Sequence, residues 1–220
     1  MGKKIISFSL WGDKPKYTIG AVRNAQLALQ LYPGWVCRFY IGKSTPSVIV
    51  EQLKGFDNTE VVEMNEPGNW TSTFWRFLPA SEQDVDVMLS RDTDSRLSLR
   101  EKYAVDEWML SDKGFHIMRD HPWHGTEILG GMWGVKTGVL TDIREQIEKF
   151  TKTENYDVDQ SFLRQYIYPR IRDNCMVHDE IFIFNPNRKP FPTPRNNYEF
   201  VGDVFDADDK RDENFWKLLV

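Results

Sequence analysis

The chain has 220 residues, and its 28 basic and 33 acidic side chains give a net charge of −5, which excludes a protein that coats nucleic acid, because phosphate binding needs a basic surface and no basic stripe is present. Apolar residues make up 40% of the chain and aromatic residues 14%, too many for a disordered segment and enough for a sizeable core. No run approaches the ~20 consecutive apolar residues of a membrane-spanning helix, and the two cysteines, Cys37 and Cys175, do not make a disulfide framework or a thiolate metal cage, so the expected setting is reducing and cytoplasmic.

Met1-Gly2-Lys3-Lys4 leads into the apolar run Ile5 to Leu10, which stops at Trp11-Gly12-Asp13. That is too short for a signal-peptide core and predicts a first buried strand. Tyr17 to Tyr32 carries Ile19, Val22, Leu29 and Tyr32 near one face and predicts a helix stopped by Pro33-Gly34. Val36 to Ile41 predicts the second strand, Pro46 a helix start for Val48 to Leu53, and Glu60 to Met64 a third strand. Thr71 to Leu78 predicts a helix, and Val85 to Leu89 a strand that runs into Ser90-Arg91-Asp92-Thr93-Asp94-Ser95-Arg96. Ser98 with Glu101 makes a capping box for a helix to about Ser111.

Phe115 to Met118 and Gly131 to Val135 predict strands, Thr141 to Phe150 a helix capped by Thr141, and Asp157 with Gln160 a second capping box for a helix through Tyr168. Ile181 to Phe184 predicts a last strand, followed by a proline-rich stretch from Pro186 to Pro194 and an acidic tail expected to wrap the domain. Alternating strand and helix periods, with no repeat and no internal boundary, imply one α/β domain over residues 1–220. The apolar helical run Phe215 to Val220 leaves room for the chain to be one domain of a longer protein.

Four Asp-x-Asp triplets occur, at Asp84/Asp86, Asp92/Asp94, Asp157/Asp159 and Asp206/Asp208. Only Asp92/Asp94 sits where a buried strand ends, the edge at which open α/β sheets bind ligands. Two carboxylates there offer hard oxygen ligands to Mg²⁺ or Mn²⁺; the alternative is a loop salt-bridged to Arg91 and Arg96. Arg76, in Trp-Thr-Ser-Thr-Phe-Trp-Arg-Phe, either presents a planar donor array to a phosphate or sugar hydroxyl or is a core arginine reaching solvent. Gly130-Gly131-Met132-Trp133-Gly134 is too glycine-rich for an ordinary buried strand, which implies close approach of a ligand or a tight turn with Trp133 in the core.

His121, His124 and Glu127 lack zinc-helix spacing. Asp157 is accounted for by helix capping, whereas Asp159 and Gln160 leave one group free to face a crevice. His178, in His178-Asp179-Glu180, offers a third metal ligand or a structural imidazole.

In this order, the Phe8 to Trp11 strand end, Trp75-Arg76, the Asp92/Asp94 loop, Gly-Gly-Met-Trp-Gly and Asp-Gln-Ser-Phe-Leu resemble the GT-A glycosyltransferases. Within them the start Gly-Lys-Lys-Ile-Ile-Ser-Phe-Ser is similar to that of the glycosyltransferase domains encoded by chlorella viruses. The resemblance implies a central mixed, mostly parallel sheet flanked by helices and a viral, metal-dependent hexosyl- or deoxyhexosyltransferase. Such an enzyme moves a sugar from a nucleotide-diphosphate donor, a UDP-sugar, to a hydroxyl of a glycan or glycoprotein acceptor, with Mn²⁺ or Mg²⁺ as cofactor. It further implies that Phe8, Ser9, Leu10 and Trp11 line the nucleotide pocket and that Asp94 and Asp92 hold the metal, completed by His178. Arg76, Arg91, Thr93 and Lys189 would lie by the donor, and Gly131 and Trp133 between donor and acceptor.

Asp159 and Gln160 would sit at the reacting carbon. Retaining relatives with a glutamate there have a candidate nucleophile; Gln160 is a neutral amide and cannot attack. Retention then requires Asp159 as nucleophile or same-face substitution assisted by the leaving phosphate, and inversion a base among Asp157, Asp159 and Glu127. The rival reading is a non-catalytic nucleotide- or carbohydrate-binding module of the same fold. A phosphatase or nucleotidyltransferase ranks third, because Asp-Thr-Asp-Ser lacks the Asp-x-Asp-Gly-Thr pattern and no Gly-rich nucleotidyl loop precedes it.

Overall fold

The computed structural model describes residues 2–150 and 155–219. Seven strands, β1 (Lys3–Leu10), β2 (Val36–Ile41), β3 (Thr59–Glu63), β4 (Val85–Ser90), β5 (Phe115–Arg119), β6 (Trp133–Lys136) and β7 (Cys175–Asp179), form one sheet in the order β3-β2-β1-β4-β6-β5-β7. All neighbours pair in parallel except β6, which runs antiparallel to both β4 and β5. The expected mixed, mostly parallel sheet is therefore what forms. Because β6 alone is reversed, its entry and the exits of β1 and β4 meet at one edge.

Helices α1 (Pro15–Leu31), α2 (Ser47–Lys54), α3 (Leu99–Met109) and α4 (Ile143–Lys149) cover the sheet together with a 3-10 segment, Trp70–Ser81. Strand alternation divides the core. Ile6, Phe8 and Leu10 pack with Ala21, Ala25 and Ala28 of α1, small side chains that let the helix approach, whereas Ile5 packs with Phe74 and Phe77 of the 3-10 segment. Each fully buried aromatic or branched side chain contributes about 1.5–3 kcal/mol. At Gly20 a Cβ would run into the Thr93 carbonyl, so this glycine brings α1 against the loop after β4.

Two expected caps do not form. Asp157 precedes α5 (Val158–Phe162) without a side-chain cap bond, since the local acceptor is Asp159 Oδ1, which takes the Gln160 N–H at 2.9 Å. At α4 the residue before the helix is Asp142, not Thr141, and it makes no side-chain cap either. Ser98 does cap α3, accepting the Glu101 N–H at 3.2 Å, while the Glu101 carboxylate turns inward to Arg91 and Tyr32. The α5 helix widens into a π turn at Leu163–Ile167 before α6 (Tyr168–Ile171), where Pro169 supplies no N–H to a regular ladder.

Ile181 to Phe184 is not a strand. Its place is taken by β7, which stops where Asp179 Oδ1 accepts the N–H groups of Ile181 and Phe182 at 2.8 and 2.7 Å and turns the chain away. The segment beyond wraps the domain as expected: Lys189 bridges His178, and Val204 bridges Ser95. The terminal apolar run, Phe215 to Val220, starts inside α7 (Glu213–Trp216), and its last residue, Val220, lies outside the described residues. Among the described residues no helix is long and apolar enough to cross a membrane.

Candidate functional site

The shared sheet edge holds a cleft of about 360 Å³ lined by Ser9 to Lys14 after β1, Asp92 to Ser95 after β4, Gly130 to Met132 before β6, and Asp159 and Gln160 of α5. Trp70, Thr73 and Arg76 of the 3-10 segment close it from one side. Ser9 fixes that segment, because its Oγ accepts the Arg76 N–H at 3.1 Å and donates to the Thr73 carbonyl at 3.4 Å.

Arg76 is 5% exposed and links two aspartates, Asp92 through Nη1 and Asp159 through Nη2 at 2.7 Å. Its charge is held firmly: Asp92 and Asp159 outweigh the burial that opposes it, and its pKa lies above the usual value. A buried arginine unpaired would cost several kcal/mol, so the two carboxylates and this cation stand or fall together. Asp92 remains 44% exposed at its side chain. Asp94 is tethered by Lys16 Nζ at 3.2 Å, yet burial and then the charge of Asp92 raise its pKa. Burial also raises Asp159, with Arg76 opposing.

The two glycines before β6 are required by this cluster. A Cβ on Gly131 would enter the Asp92 carboxylate, and one on Gly130 would enter Asp159 and come within 2.5 Å of Arg76 Nη2. The Gly130 carbonyl accepts the Ser90 hydroxyl at 2.7 Å, which locks the glycine pair to β4.

The cleft gathers Ser9, Leu10, Trp11, Arg76, Asp92, Thr93, Asp94, Gly131, Asp159 and Gln160 from the candidates, and the other candidates lie elsewhere. Phe8 is fully buried and stacks on Phe39, because it shares the core face of β1 with Ile6 and Leu10. Trp133 is fully buried and stacks on Phe115, so it is a core residue and not a sugar platform. Arg91 is 2% exposed and donates to Glu101 at 2.7 Å and to the Trp133 carbonyl at 3.0 Å; it fastens the loop from behind.

His178 is fully buried on β7, hydrogen-bonded to His116 at 2.8 Å and to Glu107 at 3.1 Å, and Lys189 pairs with the same Glu107. Neither reaches the cleft. Asp157 is exposed outside it, and Glu127 does not line it.

Sequence reasoning missed several lining residues. Trp70 and Tyr156 are two of them, and with the expected Trp11 they form an edge-to-face chain with ring centroids 5.9 and 4.8 Å apart. Tyr17 comes from the first turn of α1, next to the Lys16 that pairs with Asp94, and His124, Gly202 and Val204 come from loops. A lysine and a tyrosine opening a helix beside a strand end were the available signal for the first pair; the tail residues had none.

Among the described residues no group of three or more His, Cys, Asp or Glu is arranged to hold a metal ion. Asp92 and Asp94 nevertheless face one cleft, and their carboxylates would offer two hard oxygen donors to a divalent cation.

No protein-family model and no curated protein sequence matches the chain. Solved structures do. Glucosyl-3-phosphoglycerate synthase from Mycobacterium tuberculosis, in complex with Mn²⁺, UDP and glucosyl-3-phosphoglycerate, is 13% identical, with 80% of this chain and 69% of that chain covered and a TM-score of 0.52. 4-Diphosphocytidyl-2C-methyl-D-erythritol synthase from Anaerococcus prevotii is 12% identical, with 80% and 86% covered and a TM-score of 0.50. A glycosyltransferase involved in glycosylation of the major capsid of PBCV-1 is 19% identical, with 80% and 81% covered and a TM-score of 0.48. The fold is thus GT-A-like, the fold of nucleotide-diphospho-sugar transferases.

Proposed function

We propose that the chain is a glycosyltransferase that moves a sugar from a nucleotide-diphosphate donor, a UDP-sugar, to a hydroxyl of a glycan or glycoprotein, with retention. The observation that carries this reading is the pair Asp92/Asp94 at the exit of β4, facing the same cleft as the Arg76–Asp159 pair and Gln160. The Mn²⁺ and UDP in the complex of the structural neighbour support the choice of metal and nucleotide.

Asp92 and Asp94 would hold Mn²⁺ or Mg²⁺, which when bound supplies positive charge to a diphosphate. Trp11, Trp70 and Tyr156 give aromatic surface for the base. Arg76 places a fixed cation at the cleft wall, where a preorganised charge stabilises a departing diphosphate without reorganising. Asp159 is only 4% exposed at its side chain and has both oxygens engaged, by Arg76 and by the Gln160 N–H. That disfavours it as a nucleophile and supports its holding Arg76 in place. Gln160 carries no charge and acts by hydrogen bonding. Same-face substitution then balances as follows: the bond from the sugar to the diphosphate breaks, the acceptor oxygen bonds to that carbon on the same face, and the acceptor proton passes to the leaving phosphate oxygen.

One observation favours a binding module without turnover. Asp92 and Asp159 are already countered by Arg76, and Asp94 by Lys16, so the cluster is self-consistent without a ligand. Melting temperatures with UDP, GDP or dTDP, each with and without Mn²⁺, test both readings, since a ligand at about 100 times its Kd adds about 2.7 kcal/mol. The expected result is a shift for UDP that requires Mn²⁺, accompanied by slow release of UDP from a UDP-sugar. A metal-dependent shift without release favours the module, and no shift with any nucleotide overturns the proposal.

A further inference from the structure

The segment between β5 and β6 holds a histidine to which the proposed reaction gives no task. At its start Asp120 is clamped by Arg100, whose Nε and Nη2 reach the carboxylate at 2.7 and 2.9 Å, and by the Val201 N–H at 2.9 Å. From this fixed residue the backbone N–H donates to His124 Nδ1 at 3.0 Å, while the His124 N–H donates to the His121 carbonyl at 2.9 Å. A ring nitrogen that accepts carries no proton, so the proton of the neutral imidazole sits on Nε2. Burial, aided by the charges of His121 and Arg119, lowers the His124 pKa to about 3, which keeps the ring neutral in ordinary buffers. Among the described residues the ring makes its hydrogen bond through Nδ1, and His124 lines the cleft.

What surrounds that N–H narrows what it can meet. Gly202 has a φ of +85°, and a Cβ there would lie 2.9 Å from Met132 Sδ and 3.6 Å from His124 Cε1. Glycine at 202 therefore lets this turn close against both residues, and Gly202, Met132 and His124 line the cleft together with Leu129 and Val204. Val204 in turn bridges Ser95, the neighbour of Asp94. In a nucleotide sugar the diphosphate joins base to sugar. With the base on the Trp11–Trp70–Tyr156 chain and the diphosphate at Asp92/Asp94, the sugar is what remains for the part of the cleft beside His124.

We propose that His124 Nε2 donates a hydrogen bond to a ring or hydroxyl oxygen of the transferred sugar, and that Gly202 and Met132 set the bulk the sugar can carry beside it. This rests on the transferase reading and adds to it a specificity-determining residue. In this placement the hydrogen bond is selective for the sugar, because the UDP oxygens sit at the aspartates and only the sugar reaches Nε2.

The test is calorimetric titration of the whole chain with UDP, UDP-glucose, UDP-galactose and UDP-N-acetylglucosamine, each with Mn²⁺, on the native protein, His124→Asn and His124→Gln. Asparagine places its amide oxygen near Nδ1, keeping the acceptor for the Asp120 N–H and losing the donor. Glutamine places an amide near Nε2 and keeps the donor. The native chain is expected to bind one of these UDP-sugars more tightly than UDP; His124→Asn weakens that sugar nucleotide about tenfold and His124→Gln about threefold or less, with UDP unchanged. The opposite order, glutamine harmful and asparagine harmless, would mean a purely structural histidine and overturn the inference. Equal losses for UDP and UDP-sugar, no loss in either variant, or no preference of the native chain for any sugar nucleotide would overturn it as well. If the native chain binds UDP but its sugar affinity ignores both variants, only this inference falls; if it binds no nucleotide, the transferase reading falls and takes the inference with it.

Discussion

Two arginine–aspartate clusters lie at the same sheet edge and differ in one respect. Arg119 and Asp179 pair at 2.6 Å with both side chains fully buried, Arg119 also donates to the Glu127 carbonyl, and Asp179 accepts two backbone N–H groups. Arg76 likewise is buried between Asp92 and Asp159, but Asp92 stays 44% exposed and opens on a cleft with Asp94 beside it. A closed pair fastens loops, here those after β5 and β7. An open one keeps charge available to something that is not protein. The difference teaches that burial of the arginine says little about role, and that the exposure of its carboxylate partner says more.

The sharpest way to break this comparison is Asp94→Ala. Turnover is expected to fall about 100- to 1000-fold, the scale of losing one preorganised electrostatic contact, while the urea midpoint stays put, because a carboxylate already disfavoured by burial and by Asp92 is being removed. Steady-state assay beside denaturation decides it, and normal turnover would place the cluster with the fasteners. Asp179→Asn is the converse: stability should drop by about 3–5 kcal/mol from leaving Arg119 buried and uncompensated, read by urea unfolding, with the affinity of the folded fraction for UDP retained. The smallest effect sharpens the baseline. Lys149 pairs with Glu145 at 2.5 Å across one exposed helical turn, and Lys149→Ala should leave the urea midpoint unchanged, because solvent screens such a pair.

Much of the fold was legible because buried parallel strands announce themselves as short apolar runs, as at Val36 to Ile41, which matches β2 residue for residue. Ile181 to Phe184 misled for the same reason, since an apolar run says nothing of the Asp179 turn that ends the strand before it; Ile183 is in fact 81% exposed. At the site, the aspartates were found by position along the strand. Phe8, Trp133 and Arg91 were assigned to the cleft because a resemblance marks segments, not faces: Phe8 shares the parity of Ile6 and Leu10, and Trp133 that of Val135, all of them core. His178 and Lys189 failed otherwise, each satisfied by Glu107 on α3, a pairing that only the fold reveals. Tyr17, Tyr156, His124 and Gly202 reach the cleft from separate loops and helix ends, and no local pattern links them.

The strap across the aspartate loop bears on the order in which the molecule can assemble. The Phe205 N–H holds the Asp94 carbonyl at 2.9 Å, and Arg96 reaches Asp209, a contact spanning 113 residues. Contacts of such sequence separation carry a loop-closure cost that must be met before they stabilise anything, so they form late. The aspartate loop is thus held by the tail as well as by the sheet. The shape of the site therefore depends on residues from distant parts of the sequence, and a detached tail would free the aspartate loop from two of its holds.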